Sequence, residues 1–340
     1  MPMRNYYRFY LKLSLFLIYL VIAAGAIVRM TGSGMGCPDW PKCFGYLIPP
    51  TERSQLEWKP NHNYHKGEVI IVEESLRVAT SDFISPQTYT AENWEPYTRH
   101  DYALFNPVHT WIEFINRLLG ALAGIATLLL LISALGKLKT NIIPSIGAFM
   151  VVLGMGFQAW LGKTVVDSNL LPIKITLHMG MALILIFILI FLLYKDQQKR
   201  LLLPQQFSFK LFSYFALILT LIQIGMGTQV RQFIDIQMKK WNLENATQWI
   251  SELPTLFYVH RSFSILVLGI HLYLGYLFLK NKKMPRIFSL ILITLGLEIS
   301  TGIWMYYFDF PFSSQPLHLV FASMLFGAQS YFILEVNRKT

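Results

Sequence analysis

Residues 156–180 read GFQAWLGKTVVDSNLLPIKITLHMG, and residues 296–321 read GLEISTGIWMYYFDFPFSSQPLHLVF. In both stretches a glycine precedes a histidine by 16 residues, and the two histidines are His178 and His318. Each stretch joins the end of one apolar segment to the start of the next. A spacing that recurs across such a unit indicates an internal duplication.

Other residues extend the match between the two parts of the chain. The further pairs are Gln158 with Glu298, Asn116 with His260, Arg117 with Arg261, and GAIVR (25–29) with GTQVR (227–231). The duplication is in parallel, because an even number of apolar segments per half keeps both halves in the same orientation. We therefore predict two tandem, pseudo-symmetric four-helix halves, residues 1–200 and 205–340.

The composition is that of a membrane protein. Apolar residues make up 54% of the 340 residues and charged residues only 14%, whereas a soluble domain carries nearer a quarter of charged residues. Eight segments approach the roughly 20 apolar residues that a spanning helix needs. They lie near 9–30, 107–133, 142–163, 173–194, 209–229, 255–279, 286–306 and 316–335. The predicted fold class is an all-α integral membrane protein with eight transmembrane helices.

The net charge of +10 is explained by topology. With the N-terminus inside, five segments lie on the inner side: the N-terminal tail to Lys12, 134–141, 195–210, 280–286 and the C-terminal tail from Glu335. Together they carry 15 Lys/Arg against two acids, Asp196 and Glu335. The loop 31–106 carries six Lys/Arg and ten Asp/Glu and falls outside. This asymmetry follows the positive-inside rule and predicts cytoplasmic N- and C-termini in a multi-pass protein of the cell (inner) membrane. The excess of basic over acidic residues therefore does not indicate nucleic-acid binding.

The long outer loop also holds both cysteines of the chain, Cys37 and Cys43. The outer side is oxidising in bacteria, so we expect a disulfide bond between them. A structural bridge and a redox-active pair are both open. The loop 31–106 is some 60 residues longer than its counterpart in the second half, and its aromatic and apolar stretches predict partial folding.

Three histidines, His178, His260 and His318, each begin an even-numbered apolar segment, so their rings are predicted at one depth near the outer surface. Histidines on two facing helices bind a haem iron axially. His260 and His318 form such a pair in the C-terminal half, and Arg261 is placed to meet a haem propionate. A zinc site is less favoured, because no carboxylate or cysteine shares that depth in this half.

In the N-terminal half, His178 matches His318, but the partner position is Asn116. His109 lies seven residues earlier, two turns further out on nearly the same helix face. Two alternatives stay open: His109 is the second iron ligand, or His178 binds alone. In either case the halves have diverged, which suggests one fixed cofactor and one substrate haem.

Glu113 has no acidic counterpart, since its match is Phe257. Glu113 and Arg117 are four residues apart and can pair on one helix face. One interpretation is a salt bridge at the membrane edge. The other is a carboxylate beside a reacting porphyrin edge, which stabilises a proton or developing positive charge. His271, three turns deeper than His260, is predicted to be an interior hydrogen-bonding residue.

In this order the motifs resemble the haem A synthase family, over nearly all eight segments. They are Arg29 with TGSGMG (31–36), the stretch from Pro38 to Pro41, EFINR (113–117), the run from Gln158 to Val165 before His178, and His260 with Arg261. The resemblance implies oxidation of a methyl group of haem O to the formyl group of haem A for terminal oxidases.

The resemblance also implies site residues. Haem b would sit on His260 and His318, and the substrate haem O near Glu113 and His178, with Arg117 and Asn116 beside it. It further implies a redox role for Cys37 and Cys43, as in some members. Asn116, where the family signature has histidine, and the long outer loop are departures, and a second cysteine pair found in some relatives is absent. The oxygen would come from water after oxidation or by successive hydroxylation.

Expected partners are haem O handed over by haem O synthase, the terminal oxidase assembly machinery and the lipid bilayer. The electron acceptor and a homo-oligomeric state stay open. A bis-His b-type cytochrome that only transfers electrons is the alternative function, and it would not need Glu113. A repeat-built transporter would need broken helices at mid-membrane, whereas the polar groups here cluster at the outer edge.

Overall fold

The computed structural model describes residues 3–98, 105–168, 170–197, 207–241, 246–250, 252–280 and 284–338. Within these ranges eight helices are long and apolar enough to cross a membrane, which confirms that prediction. They are α1 (Met3–Met30), α2 (Pro107–Leu135), α3 (Ile143–Asp167), α4 (Pro172–Asp196), α5 (Phe207–Lys240), α7 (Thr255–Lys280), α8 (Arg286–Tyr307) and α9 (Ser314–Val336). The short α6 (Ala246–Trp249) lies between α5 and α7.

Local sequence sets where the helices begin and end. The side chain of Asn106 accepts hydrogen bonds from the backbone N–H groups of Val108 (3.0 Å) and His109 (3.2 Å), and Pro107 fills the first helical position, so α2 starts with a capped first turn. By contrast, α5 continues three turns beyond the predicted end at 229. The reason is burial, since Ile234 and Met238 pack against Trp249 of α6.

The helices pack as consecutive pairs: α1 with α2, α3 with α4, α5 with α7, and α8 with α9. One apolar core lies among the first four helices, around Leu130 and Ile186. A second core lies among α5, α7, α8 and α9, around Phe278, Phe288 and Phe332.

Helix α9 is the centre of the molecule. It packs against α8 and α5 and also against α1 and α4 of the other half. Of its most apolar stretch 61% is buried within the protein, against 28–39% for the other spans. Small residues allow the close approach, since a methyl group placed on Gly327 would lie 2.3 Å from the hydroxyl of Tyr19 on α1.

One fully buried polar network lies deep in the C-terminal half. Nδ1 of His271 is 2.6 Å from the carbonyl oxygen of Val267, and its Nε2 is 2.7 Å from the amide of Gln329. The same amide donates to the hydroxyl of Thr220 (2.9 Å). The prediction that His271 is an interior hydrogen-bonding residue is confirmed.

Among its described residues, the long loop 31–106 folds, as expected, into two small sheets, so the chain is mostly rather than entirely helical. Strands β2 (Val69–Val72), β3 (Ser75–Ala79) and β5 (Trp94–Pro96) form one antiparallel sheet in the order β2-β3-β5. Strands β1 (Asn63–Tyr64) and β4 (Phe83–Ile84) form the other. The β2–β3 hairpin turns at Glu73 and Glu74, both with positive φ, as a two-residue hairpin requires. Residues 99–104 of this loop lie outside the described residues.

Candidate functional site

A partly open cavity of about 260 Å³ lies in the C-terminal half. His260 of α7 and His318 of α9 both line it. The structure therefore brings together the two imidazoles that the sequence paired. Ala26 and Arg29 of α1 and Met179 of α4 also reach the cavity, so the N-terminal half closes one side of it.

Both imidazoles are held against the backbone of a neighbouring helix. A methyl group placed on Gly227 would lie 3.1 Å from Cε1 of His260, and one placed on Gly302 would lie 3.4 Å from Cε1 of His318. The contact at Gly227 is tighter than most contacts of a Cβ atom, so an alanine there would displace the His260 ring by a few tenths of an ångström, whereas the distance at Gly302 is close to ordinary van der Waals contact.

The same contact recurs in the N-terminal half. A methyl group on Gly162 would lie 3.4 Å from Cε1 of His178, and one on Gly25 would lie 3.8 Å from Oδ1 of Asn116. Asn116 thus occupies, against α1, the position that His260 occupies against α5.

Three of these four glycines, Gly162, Gly227 and Gly302, are preceded by a polar residue four positions earlier. The side chain of that residue contacts the helix that carries the histidine. Gln158 donates its amide to the carbonyl oxygen of His178 (3.0 Å), and Gln223 donates to that of His260 (2.9 Å). Glu298 differs, because its Oε1 lies 3.1 Å from Nε2 of His318. The carboxyl group of Glu298 therefore faces the imidazole, whereas the two glutamines bind backbone. The expectation that no carboxylate shares the depth of these histidines was wrong, because the side chain of Glu298 reaches His318 from the neighbouring helix.

The other ring nitrogen of His318 is also engaged. Its Nδ1 lies 3.0 Å from the hydroxyl of Thr301 and 3.1 Å from the carbonyl oxygen of Glu298. A proton on Nδ1 shared with that carbonyl puts the lone pair on Nε2, as in an iron-binding histidine. In this structure that Nε2 faces Oε1 of Glu298, so the carboxyl group would have to turn away before Nε2 could bind iron.

Three arginines line the cavity. Arg261 lies beside aromatic rings, with its guanidinium carbon 5.4 Å from the ring centre of Tyr258 and 5.8 Å from that of Tyr306. Arg29 of α1 and Arg231 of α5 both pair with Asp235, and the Arg231–Asp235 distance is 2.7 Å.

Glu113 and Arg117 form the predicted pair at 2.6 Å, but the pair also holds the outer loop. Glu113 is 4% exposed, and its Oε2 accepts a hydrogen bond from the backbone N–H of Cys37 (2.9 Å). Arg117 donates to the carbonyl oxygens of Asp39 (2.6 Å), Lys42 (3.0 Å) and Cys37 (3.3 Å). Sequence spacing gave no signal for these backbone contacts.

The segment that Glu113 and Arg117 bind is closed by a disulfide bond between Cys37 and Cys43. Inside it, the carboxylate of Asp39 accepts hydrogen bonds from the backbone N–H groups of Phe44 (2.5 Å) and Gly45 (2.8 Å). Burial raises the pKa of Asp39 above its ordinary value, while those N–H groups and the charge of Arg117 oppose the rise. Both interpretations of the cysteine pair remain predictions.

The other predicted site residues of the N-terminal half are His109, His178 and Asn116. His109 is half-buried in the first turn of α2, and its carbonyl oxygen packs against Gly36, where a methyl group would lie 2.4 Å away. Nδ1 of His178 and Oδ1 of Asn116 are buried and have no hydrogen-bond partner among the described residues. Whether His109 binds iron stays a prediction.

The residues fit a haem. Nδ1 of His260 is buried without a partner in the described part of the chain, as is Oε2 of Glu298. Such orphaned polar atoms around a cavity indicate a missing partner. Within the described ranges no three His, Cys, Asp or Glu side chains are placed to hold a metal ion. Two imidazoles suffice for haem iron, because the porphyrin supplies the other four ligands.

Asp235 is the site residue that sequence reasoning missed. It lies four residues after Arg231, a spacing that signals an ion pair on one helix face. The signal was hidden because the apolar segment was expected to end at 229, before both residues.

Comparison with known proteins places the chain in a family. The sequence model of the COX15-CtaA family, described as cytochrome oxidase assembly protein, matches residues 8–84 and 86–330. A haem A synthase of Rickettsia felis is 25% identical over 364 residues, covering 96% of this chain and 98% of the relative. One of Rickettsia conorii is 25% identical over 348 residues, covering 93% and 94%. One of Shewanella oneidensis is 29% identical over 184 residues, covering 54% and 44%.

Proposed function

We propose that this chain, which belongs to the COX15-CtaA family of cytochrome oxidase assembly proteins, is a haem A synthase. The reaction oxidises a methyl group of haem O to the formyl group of haem A. One observation carries the proposal: a family match over nearly the whole chain coincides with a cavity lined by two histidines that can ligate one haem iron.

The C-terminal half is proposed to hold haem b as the resident cofactor. His260 and His318 would bind its iron, and Arg261 would meet a propionate. Bound there, haem b supplies one-electron redox chemistry. The close approach of Gly227 to the ring of His260 and the contact of His318 with the Glu298 carbonyl support this assignment.

The N-terminal half is proposed to bind haem O as the substrate, with His178 as an iron ligand and His109 as the candidate for the second. With water as the source of the oxygen atom, conversion of a methyl to a formyl group releases four protons and four electrons, and an external electron acceptor must take up those electrons. Positive charge develops at the carbon as electrons leave. Glu113, with its carboxylate fixed by Arg117 and Cys37, is positioned to stabilise that charge.

The domain division and topology are part of the same proposal. Residues 1–200 and 205–340 form the two pseudo-symmetric halves, and the matching glycine–histidine contacts at His178 and His318 support this division. Both termini are cytoplasmic, the protein lies in the inner membrane, and both haem sites lie near its outer side. Haem O synthase would deliver the substrate, and the terminal oxidase would receive the product.

An electron-transfer cytochrome is less well supported. It needs no buried carboxylate in the first half, yet Glu113 is retained there with two hydrogen-bonding partners. The names of the relatives also describe a synthase.

The test is expression in cells that make haem O but not haem A, followed by extraction and chromatography of the pigments. Accumulation of haem A, or of its alcohol precursor, supports the proposal. Haem O unchanged, in cells whose membranes contain the folded protein with its haem b spectrum, would show a cytochrome instead.

A further inference from the structure

Arg29 and Arg231 occupy equivalent places in the two halves, at the ends of GAIVR and GTQVR, yet both turn to the same carboxylate. Arg29 of α1 and Arg231 of α5 each contact Asp235, one oxygen apiece. Both arginines line the cavity that holds His260 and His318. The first half therefore contributes a cation to the second half's site.

Asp235 has no equivalent in the first half. It lies four residues after Arg231, and the residue four after Arg29 is Ser33, which is fully buried and hydrogen-bonds to Thr31. The convergence on one aspartate is thus a feature of the C-terminal cavity alone.

The charges around the outer part of this cavity do not balance. Arg29, Arg231 and Arg261 bring three positive charges, and Asp235 offsets one of them. The carboxyl group that lines the cavity itself, Glu298, is turned to His318. Two cations without a carboxylate partner remain near the ends of the membrane spans, and the side chains of Arg29 and Arg231 are largely shielded from solvent there, where unpaired charge is costly.

The arginines also have unused hydrogen-bonding capacity. Nη1 of Arg231 and Nε of Arg29 are shielded from solvent and have no hydrogen-bond partner among the described residues. A structural salt bridge needs one guanidinium per carboxylate. A second guanidinium with buried, unpaired donors indicates an anion that the two arginines share.

We propose that Arg29 and Arg231, with Asp235 as their common counter-ion, form a carboxylate-binding site for the propionates of the haem in the C-terminal cavity. Together with Arg261 they match the two propionate charges. This deepens the proposed function and rests on it for the identity of the ligand. It follows that the N-terminal half takes part in holding the C-terminal haem.

The experiment compares two probes that differ only in the carboxylates. Full-length protein in detergent is stripped of haem with apomyoglobin and titrated with haem b or its dimethyl ester, with binding followed by the Soret band. Each lost charge-assisted contact is worth about tenfold in affinity. We expect the preference of the wild-type protein for haem b over the ester to fall about tenfold in R29Q and in R231Q.

Two further variants complete the test. K163Q removes another cation from the end of a span, paired with Asp167 away from the cavity, and is expected to keep the wild-type preference. D235N removes the competing carboxylate, and the preference is expected to rise; a purely structural ion pair predicts no rise. If an arginine variant fails to fold, D235N decides alone.

An unchanged preference in R29Q and R231Q would overturn the inference and point to another anion, such as a lipid phosphate, at these arginines. The bis-imidazole spectrum from His260 and His318 would then still stand, and so would the proposed function. Failure of the wild-type protein to bind either probe would instead count against the proposed function itself.

Discussion

The backbone N–H of Cys37 donates to Oε2 of Glu113 across 2.9 Å, so a carboxylate within a membrane span is joined directly to a disulfide-closed loop outside it. Arg117 adds to this contact, because it binds both the carboxylate of Glu113 and three carbonyl oxygens of the same loop. The residue proposed to stabilise the reaction is therefore positioned by the outer loop. The following predictions separate that positioning from chemistry.

Replacing Glu113 is expected to stop the reaction without disturbing the C-terminal haem. Glu113→Gln keeps an oxygen that can accept from Cys37 but removes the negative charge, so product formation should fall about 100-fold or more. Pigment analysis measures product, and the reduced spectrum measures haem b. Normal product levels in Glu113→Gln or Glu113→Ala would refute a chemical role for this carboxylate.

Removing the disulfide is expected to weaken the loop rather than abolish activity. In the Cys37→Ser/Cys43→Ser variant, Glu113 and Arg117 still hold the loop backbone, and the loss is about 2 kcal/mol or less of stability for so short a loop. At least about a thirtieth of the product should remain, since about 1.4 kcal/mol corresponds to tenfold and about 2 kcal/mol to about 30-fold. Complete loss of product with haem b intact would assign the cysteines a redox role.

A single methyl group is expected to displace His260. Gly227→Ala places a carbon 3.1 Å from Cε1 of the ring, a crowding that costs about 1 kcal/mol or more and should lower haem b content at least about fivefold. Alanine stabilises a helix relative to glycine, so helix propensity alone would predict no loss of haem from this change.

The matched control is Gly269→Ala, since a methyl group there meets nothing within 4 Å. Haem per protein, measured as the pyridine haemochrome, is expected to match the wild type in this control. Equal haem content in Gly227→Ala and Gly269→Ala would show that the glycine contact does not position the ring.

The buried His271–Gln329 pair is expected to act on stability alone. Gln329→Leu leaves Nε2 of His271 buried without a partner and should cost about 1–3 kcal/mol, with haem b unchanged. The double variant His271→Leu/Gln329→Leu removes both polar groups and should be less destabilised than the sum of the single changes. Thermal unfolding in detergent measures each value, and a strictly additive double variant would refute the coupling.

The sequence predicts the eight helices and the two histidines that line the C-terminal cavity because their signals are local. Apolar length marks the spans, the repeated interval between glycine and histidine marks His318, and the match with Asn116 marks His260. The glycines themselves make the ring contacts, at Gly162 and Gly302. Short-range periodicity was therefore sufficient for this part of the site.

The interactions that the sequence does not reveal are long-range. Glu113 binds Cys37 across 76 positions of the chain, and Arg29 binds Asp235 across 206. Backbone donors and acceptors such as the N–H of Cys37 have no residue-specific signal. The length of α5 was underestimated for a related reason, because Ile234 and Met238 are buried by α6 rather than by an apolar run of their own.

The central position of α9 has a consequence for biogenesis. This helix is synthesised after the other seven spans described, yet it covers surfaces of α1, α4, α5 and α8. The earlier spans must wait in the bilayer with those surfaces facing lipid until α9 is inserted. A chain cut before Ser314 would thus lose its assembly as a whole, including contacts such as that of Tyr19 with Gly327, and quality-control proteases would encounter a set of loosely associated helices.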